Sequence, residues 1–196
     1  MRLFVGIPLA DTTARELAAV VQRLRSGESR AREGGLRWTA PESWHITLQF
    51  LGNATEEQFE CLQARLSEVH SKPVSLQLGE LGCFERAGVF FADVAVTPEL
   101  VALERIVVAS TNPCGFAAET RPYHPHITLA RSKGQGRGAE LRGLKAKVLG
   151  QPMFTRFLAK EFVLYESHLG QSGARYEAKM RVALRAERGP MAGAND

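Results

Sequence analysis

Two copies of one tetrapeptide hold the residues best suited to chemistry in this chain. His45-Ile46-Thr47-Leu48 and His126-Ile127-Thr128-Leu129 are identical and lie 81 positions apart. With five histidines and ten threonines among 196 residues, chance predicts roughly a quarter of one His-x-Thr triplet, the rate against which such a motif is weighed. A lone triplet on a strand is most often a satisfied polar pair. Two triplets flanked by the same Ile and Leu read as two halves of one active site.

On a strand, side chains at i and i+2 share a face about 6.6 to 6.8 Å apart. His45 therefore projects with Thr47, and His126 with Thr128, while Ile46, Leu48, Ile127 and Leu129 turn to the opposite face and anchor each strand in a core. Displacement at phosphorus needs a base on the incoming oxygen and an acid on the leaving oxygen, at opposite ends of an in-line axis. Histidine titrates at about 6.5 when unperturbed and can supply either form. Threonine hydroxyls can donate to the non-bridging oxygens, and an arginine would add charge-assisted binding.

No metal or other cofactor is expected, because no Asp and Glu cluster surrounds the motifs. His124-x-His126 has the alternate spacing of a zinc pair, but Pro125 intervenes and no third ligand stands nearby; His70 reads as surface. Arg131 has the opposite parity to His126 and Thr128 on a regular strand. Either the strand ends or bulges before it, or Arg131 binds nucleic acid away from the phosphate. Phe50 has the same parity problem and reads as core. Tyr165, Ser167 and His168 are candidates for lining the cleft.

The elements that must hold these residues follow from periodicity and punctuation. Arg2 to Ile7 reads as a strand. Thr13-x-x-Glu16 reads as a capping box before the helical stripe Leu17, Val20, Val21, Leu24, and Thr55 with Gln58 as a second box before Phe59, Leu62, Leu66, Val69. Ser26 to Gly35 is a Gly- and Arg-rich loop. His45 to Leu51 is the first motif strand, stopping at Gly52-Asn53.

Val74 to Gly79 alternates like a half-buried strand, and Leu81 to Phe84 pairs with Val89 to Val96 across a turn at Glu85 to Gly88. Thr97-Pro98-Glu99 starts a helix whose inner face is Leu100, Leu103, Ile106 and Val107. His126 to Ala130 is the second motif strand, entered through Pro122 and Pro125. After a glycine-rich loop at Ser132 to Gly138 come a helix at Glu140 to Leu149, strands at Phe154 to Phe157 and Glu161 to Ser167, a turn at Gln171-Ser172-Gly173, and a last strand at Tyr176 to Leu184. Short strands with few long crossovers predict a mainly antiparallel α+β fold. The motif spacing predicts two lobes with a cleft between them. Residues 1–186 read as one bilobal domain and 187–196 as a disordered tail.

Composition narrows the class. The chain is 44% hydrophobic and 23% charged, ordinary for a globular domain. A net charge of +4 suits acidic partners such as RNA without establishing one. Three cysteines and no C-x-x-C pair argue against a disulfide framework or a thiolate zinc site. No run approaches a membrane span, and Leu3 to Ile7 is too short for a signal-peptide core. A reduced, cytoplasmic setting is the expectation.

Four segments carry a resemblance: Met1 to Pro8, His45 to Gly52, Arg121 to Arg131, and Phe162 to Ser167. In order, and over Met1 to about Leu184, they resemble the bacterial RNA 2′,3′-cyclic phosphodiesterases. These are also called 2′-5′ RNA ligases, of the two-histidine phosphoesterase superfamily. The resemblance implies a bilobal α+β fold, mainly antiparallel sheets lining a central cleft with helices outside. It also implies metal-independent opening of an RNA-terminal 2′,3′-cyclic phosphate to a 2′-phosphate, with reversible 2′-5′ ligation as a companion activity.

By that analogy His45 donates a proton to the departing 3′ oxygen, His126 accepts one from the attacking water, and Thr47, Thr128 and Arg131 hold the phosphate. Nothing in the spacing itself distinguishes the two histidines. The expected partner is RNA with a cyclic phosphate end, tRNA fragments included, met by a monomer away from membranes. Two alternatives stand beside it: a cyclic phosphodiesterase for a small nucleotide such as ADP-ribose cyclic phosphate, and an RNA-binding module whose histidines only grip phosphate.

Overall fold

Leu3, Val5 and Ile7 are fully buried in β1 (Arg2–Pro8), because this N-terminal strand is interior to a sheet. It pairs antiparallel with β3 (His45–Asn53) on one side and with β9 (Glu161–Gly170) on the other; β10 (Gly173–Ala183) completes the order β10-β9-β1-β3. The second sheet runs β2 (Leu36–Trp38), β7 (His126–Ser132), β6 (Val89–Val94), β5 (Leu78–Phe84). A two-stranded pair joins β4 (Val74–Leu76) to β8 (Phe157–Ala159). The structure, a computed structural model, describes residues 1–26, 36–132, 137–148, 150, 152–170 and 173–185. The loop cores expected at 27–35 and 133–136, the turn at 171–172 and the tail at 187–196 lie outside the described residues.

Among the described residues four α-helices accompany the sheets: α1 (Asp11–Ser26), α2 (Glu56–Ser67), α3 (Pro98–Thr111) and α4 (Arg137–Lys147). The α2 start forms both halves of the Thr55–Gln58 capping box. At α3 the Thr97 hydroxyl accepts from the Leu100 amide at 3.2 Å. Their apolar stripes join Leu17 and Val21 of α1 and the inward Ile46, Leu48, Ile127 and Leu129 in one continuous core. Each four-stranded sheet thus contributes one motif strand, an α+β arrangement of mainly antiparallel strands.

Several expectations need correction. Thr13 is inside α1, not its cap: its hydroxyl donates to the Thr155 carbonyl, and Glu16 accepts from the Thr155 amide and hydroxyl. Ile106 is 38% exposed and leaves the α3 inner face to Leu100, Leu103 and Val107. The Val74 to Gly79 run divides between β4 and β5, in different sheets, and the strand expected at Phe154 begins only at Phe157. Helix α4 starts earlier, at Arg137. The cysteine count misled most. Cys61 of α2 and Cys114, in the turn after α3, form a disulfide with Cα atoms 5.7 Å apart, leaving Cys83 free.

Both motif strands bulge at the same place. Opposite β1, Gly6 pairs with Thr47 and Val5 with Gln49, so Leu48 is the extra residue. Opposite β6, Phe91 pairs with Thr128 and Phe90 with Ala130, so Leu129 is the extra residue. A bulge inserts one residue and reverses the parity beyond it. Phe50 and Arg131, each three residues past its threonine, therefore return to the face of the histidines.

Candidate active site

His45, Thr47, His126, Thr128 and Arg131 all line one cleft of about 1060 Å³, so the two motifs converge. The parity problem at Arg131 is resolved by the Leu129 bulge. The same geometry overturns the reading of Phe50 as core: it is 56% exposed on the cleft wall.

The imidazoles are oriented alike. His45 Nδ1 donates to the Ser43 carbonyl at 2.8 Å, and His126 Nδ1 donates to the His124 carbonyl at 2.8 Å. A carbonyl only accepts, so each Nδ1 carries the proton and each Nε2 is left as the reactive nitrogen. In both cases the partner is two residues upstream, supplied by the turn that enters the strand.

Packing fixes the rings further. The Phe4 ring lies 4.5 Å from that of His45, and Tyr176 meets it edge-on at 5.0 Å. Gly6 leaves room for this: a Cβ there would fall 3.1 Å from the Ile46 carbonyl oxygen and 3.3 Å from His45 Cδ2. Around His126, Phe84 and Phe91 stand edge-on at 5.2 and 5.5 Å. Phe91 in turn covers Gly82, where a Cβ would come within 2.7 Å of its ring.

Burial penalises an imidazolium. It pushes His45 down to about 4, partly opposed by the bond to Ser43, with the nearby His126 and Arg131 charges adding to the depression. Burial also lowers His126, against the His124 carbonyl; His124 and Arg131 lower it further and Asp93 works the other way. Both rings are therefore neutral at pH 7. A phosphodiester anion between them would supply the missing counter-charge and draw a proton in.

Ser167 lines the cleft as expected, but Tyr165 does not reach the wall. It stacks on Phe4 at 5.0 Å, one layer behind His45. His168 turns away toward Glu177, at 3.1 Å. Tyr176, Tyr123 and Arg2, none singled out from the sequence, stand in the wall instead. Tyr176 arrives through the β9–β10 pairing, which no local signal announces; Phe50 could have been found by laying the two motifs over each other to their sixth residue.

His124, the suspected zinc partner of His126, places its Nε2 3.0 Å from Asp93. Among the described residues, one grouping has metal-ligand character: Glu166, His168 and Glu177. It lies outside the cleft lining, and the Lys179 ammonium already sits 3.5 Å from Glu166 and 3.2 Å from Glu177.

Residues 7–91 match the family described as LigT like Phosphoesterase. The chain is 30% identical over 188 residues to the RNA 2′,3′-cyclic phosphodiesterase of Bacillus subtilis, covering 92% of this chain and 95% of that protein. It is 29% identical over 180 residues to the enzyme of the same name from Archaeoglobus fulgidus, covering 90% and 97%. The crystal structure of Escherichia coli LigT complexed with 3′-AMP superposes with a TM-score of 0.72 at 25% identity, covering 93% of this chain and 97% of that one. No helix among the described residues is long and apolar enough to cross a membrane.

Proposed function

This chain belongs to the LigT-like phosphoesterase family, and from that premise we propose that it hydrolyses the 2′,3′-cyclic phosphate at RNA ends to a 2′-phosphate. Water attacks phosphorus as His126 Nε2 takes its proton. The P–O3′ bond breaks as His45, carrying on Nε2 the proton that the bound phosphate anion draws in, passes it to the departing 3′ oxygen. Thr47 and Thr128 donate to the non-bridging oxygens and Arg131 balances their charge. Phe50 offers its exposed face to the terminal base. With a 5′-hydroxyl in place of water, the same displacement forms a 2′–5′ linkage, reversibly. None of these steps draws on a metal.

The observation that carries the reading is the pair of imidazoles, each pinned through Nδ1, facing one cleft from two sheets. A phosphate-gripping module needs no such matched acid and base. Arg2, Arg86 and Arg121 also line the cleft, which favours a polyanionic strand over a small nucleotide such as ADP-ribose cyclic phosphate. Residues 1–186 act as one catalytic unit, because neither sheet holds both histidines, and a monomer suffices. A cytoplasmic site of action no longer follows from the cysteines; what supports it is the substrate, cut RNA such as tRNA fragments.

The test is an oligoribonucleotide ending in a 2′,3′-cyclic phosphate, incubated in excess EDTA with the parent, His45→Ala and His126→Ala. The parent turns over, and each variant loses about 10² to 10⁴ in rate, the usual worth of a general acid or base. Full inhibition by EDTA, or retained turnover in either variant, would overturn the mechanism. Affinity without product would leave only a binding module.

A further inference from the structure

The motif strands β3 and β7 belong to different sheets, so no shared ladder sets His45 relative to His126. The chain between α3 and β7 crosses that gap. Residues 116–125 contain no helix or strand, yet the stretch is gripped along its length by the first motif's surroundings. Cys114 is bridged to Cys61 of α2, and the Ala117 carbonyl accepts from Gln49 Nε2 of β3 at 3.5 Å. The Tyr123 hydroxyl then donates to the main-chain carbonyl of Thr47 at 3.1 Å. Two residues on, the Pro125 carbonyl accepts from the Val94 amide of β6 at 3.1 Å, and His126 opens β7.

We propose that Tyr123 is a positioning residue for the hydrolysis: its hydroxyl, docked on the Thr47 carbonyl, sets the two His-x-Thr strands at the separation that in-line displacement requires. The bond joins the entry of one motif directly to the backbone of the other, between the reactive His45 and the bulged Leu48. Its donor is permanent, because burial and the neighbouring Glu104 raise the phenol well above its ordinary value and keep it protonated. A phenol that served packing alone would be replaceable by a phenyl ring; here the oxygen reaches across the cleft's seam.

This inference rests on the hydrolytic reading, and Tyr123→Phe tests it by deleting one donor while keeping the ring. Parent, Tyr123→Phe and His45→Ala are assayed side by side on the cyclic-phosphate oligonucleotide, well below each melting point so that every molecule is folded. Expected is a fall in kcat of about 10- to 100-fold, the scale of a misplacement near 1 Å, with KM held within about threefold. A kcat equal to the parent's, or a loss confined to KM, overturns the positioning role and leaves the hydrolytic reading standing. An inactive parent, or a fully active His45→Ala, overturns both.

Discussion

At the scale of single residues, the two histidines begin from the same protonation state, and this has a measurable consequence. His45 is held near about 4 by burial, well below an exposed imidazole. The unfolded chain therefore takes up this proton first as pH falls. Stability from the buried neutral ring is complete above about pH 6.5 and is lost progressively as pH drops toward 4. Thermal melts at pH 7 and pH 5 should show a larger drop for the parent than for His45→Gln, whose amide does not titrate. Equal drops would show that His45 is not buried as a neutral ring. Phe50 makes a second case. It contributes little to the core, so Phe50→Ala should leave the melting point almost unchanged. It should raise KM for the RNA end by about 5- to 100-fold, the worth of one stacked base. A lowered melting point with KM intact would return Phe50 to a packing role.

Among the elements, what was legible in the sequence was what is local. The Thr55–Gln58 box and the Thr97 cap are bonds between residues three apart, and both stand as read. Alternation in the motif strands holds from His45 to Leu48 and from His126 to Leu129. It fails one residue later, because a bulge is a property of two strands and β1 and β6 are distant in sequence. That failure hid Phe50 and left Arg131 ambiguous. Tyr176 was hidden for a related reason: its place beside His45 depends on the register of β10 on β9 and of β9 on β1. The β1–β3 contact also yields a test. Gly6→Ala would press a methyl against the Ile46 carbonyl and the His45 ring. The carbonyl belongs to the ladder and cannot yield cheaply, so the imidazole is displaced. Turnover should fall about 10- to 100-fold, with about 1 to 3 kcal/mol of lost stability from overpacking. Gly52→Ala, strained at a φ of 77° but with nothing within 4 Å of the added methyl, should cost stability without a comparable loss of rate. A Gly6→Ala enzyme with parental kcat would sink the argument.

For the whole molecule, the pairing of Cys61 with Cys114 was illegible because it depends on α2 lying beside the turn that ends α3, which residue counts do not encode. Both helices bury their stripes in the shared core, and the Cys114 carbonyl also accepts from Gln58 Nε2 at 3.2 Å. The bridge closes a span of 53 residues, from the second helix through β4, β5, β6 and α3. It also pins the start of the segment that carries Tyr123. In the chain-entropy account a loop of that size contributes about 4 kcal/mol through the unfolded state, and commonly measured values run from about 2 to 4. A thiol count on the denatured, unreduced protein should therefore find one reactive sulfur, Cys83, rising to three after reduction. The reduced protein should melt lower, and Cys61→Ser with Cys114→Ser should reproduce that shift while making the melting point insensitive to reductant. Three thiols before reduction, or a melting point that reductant does not move, would remove the bridge from the forces that hold the two halves of the cleft together.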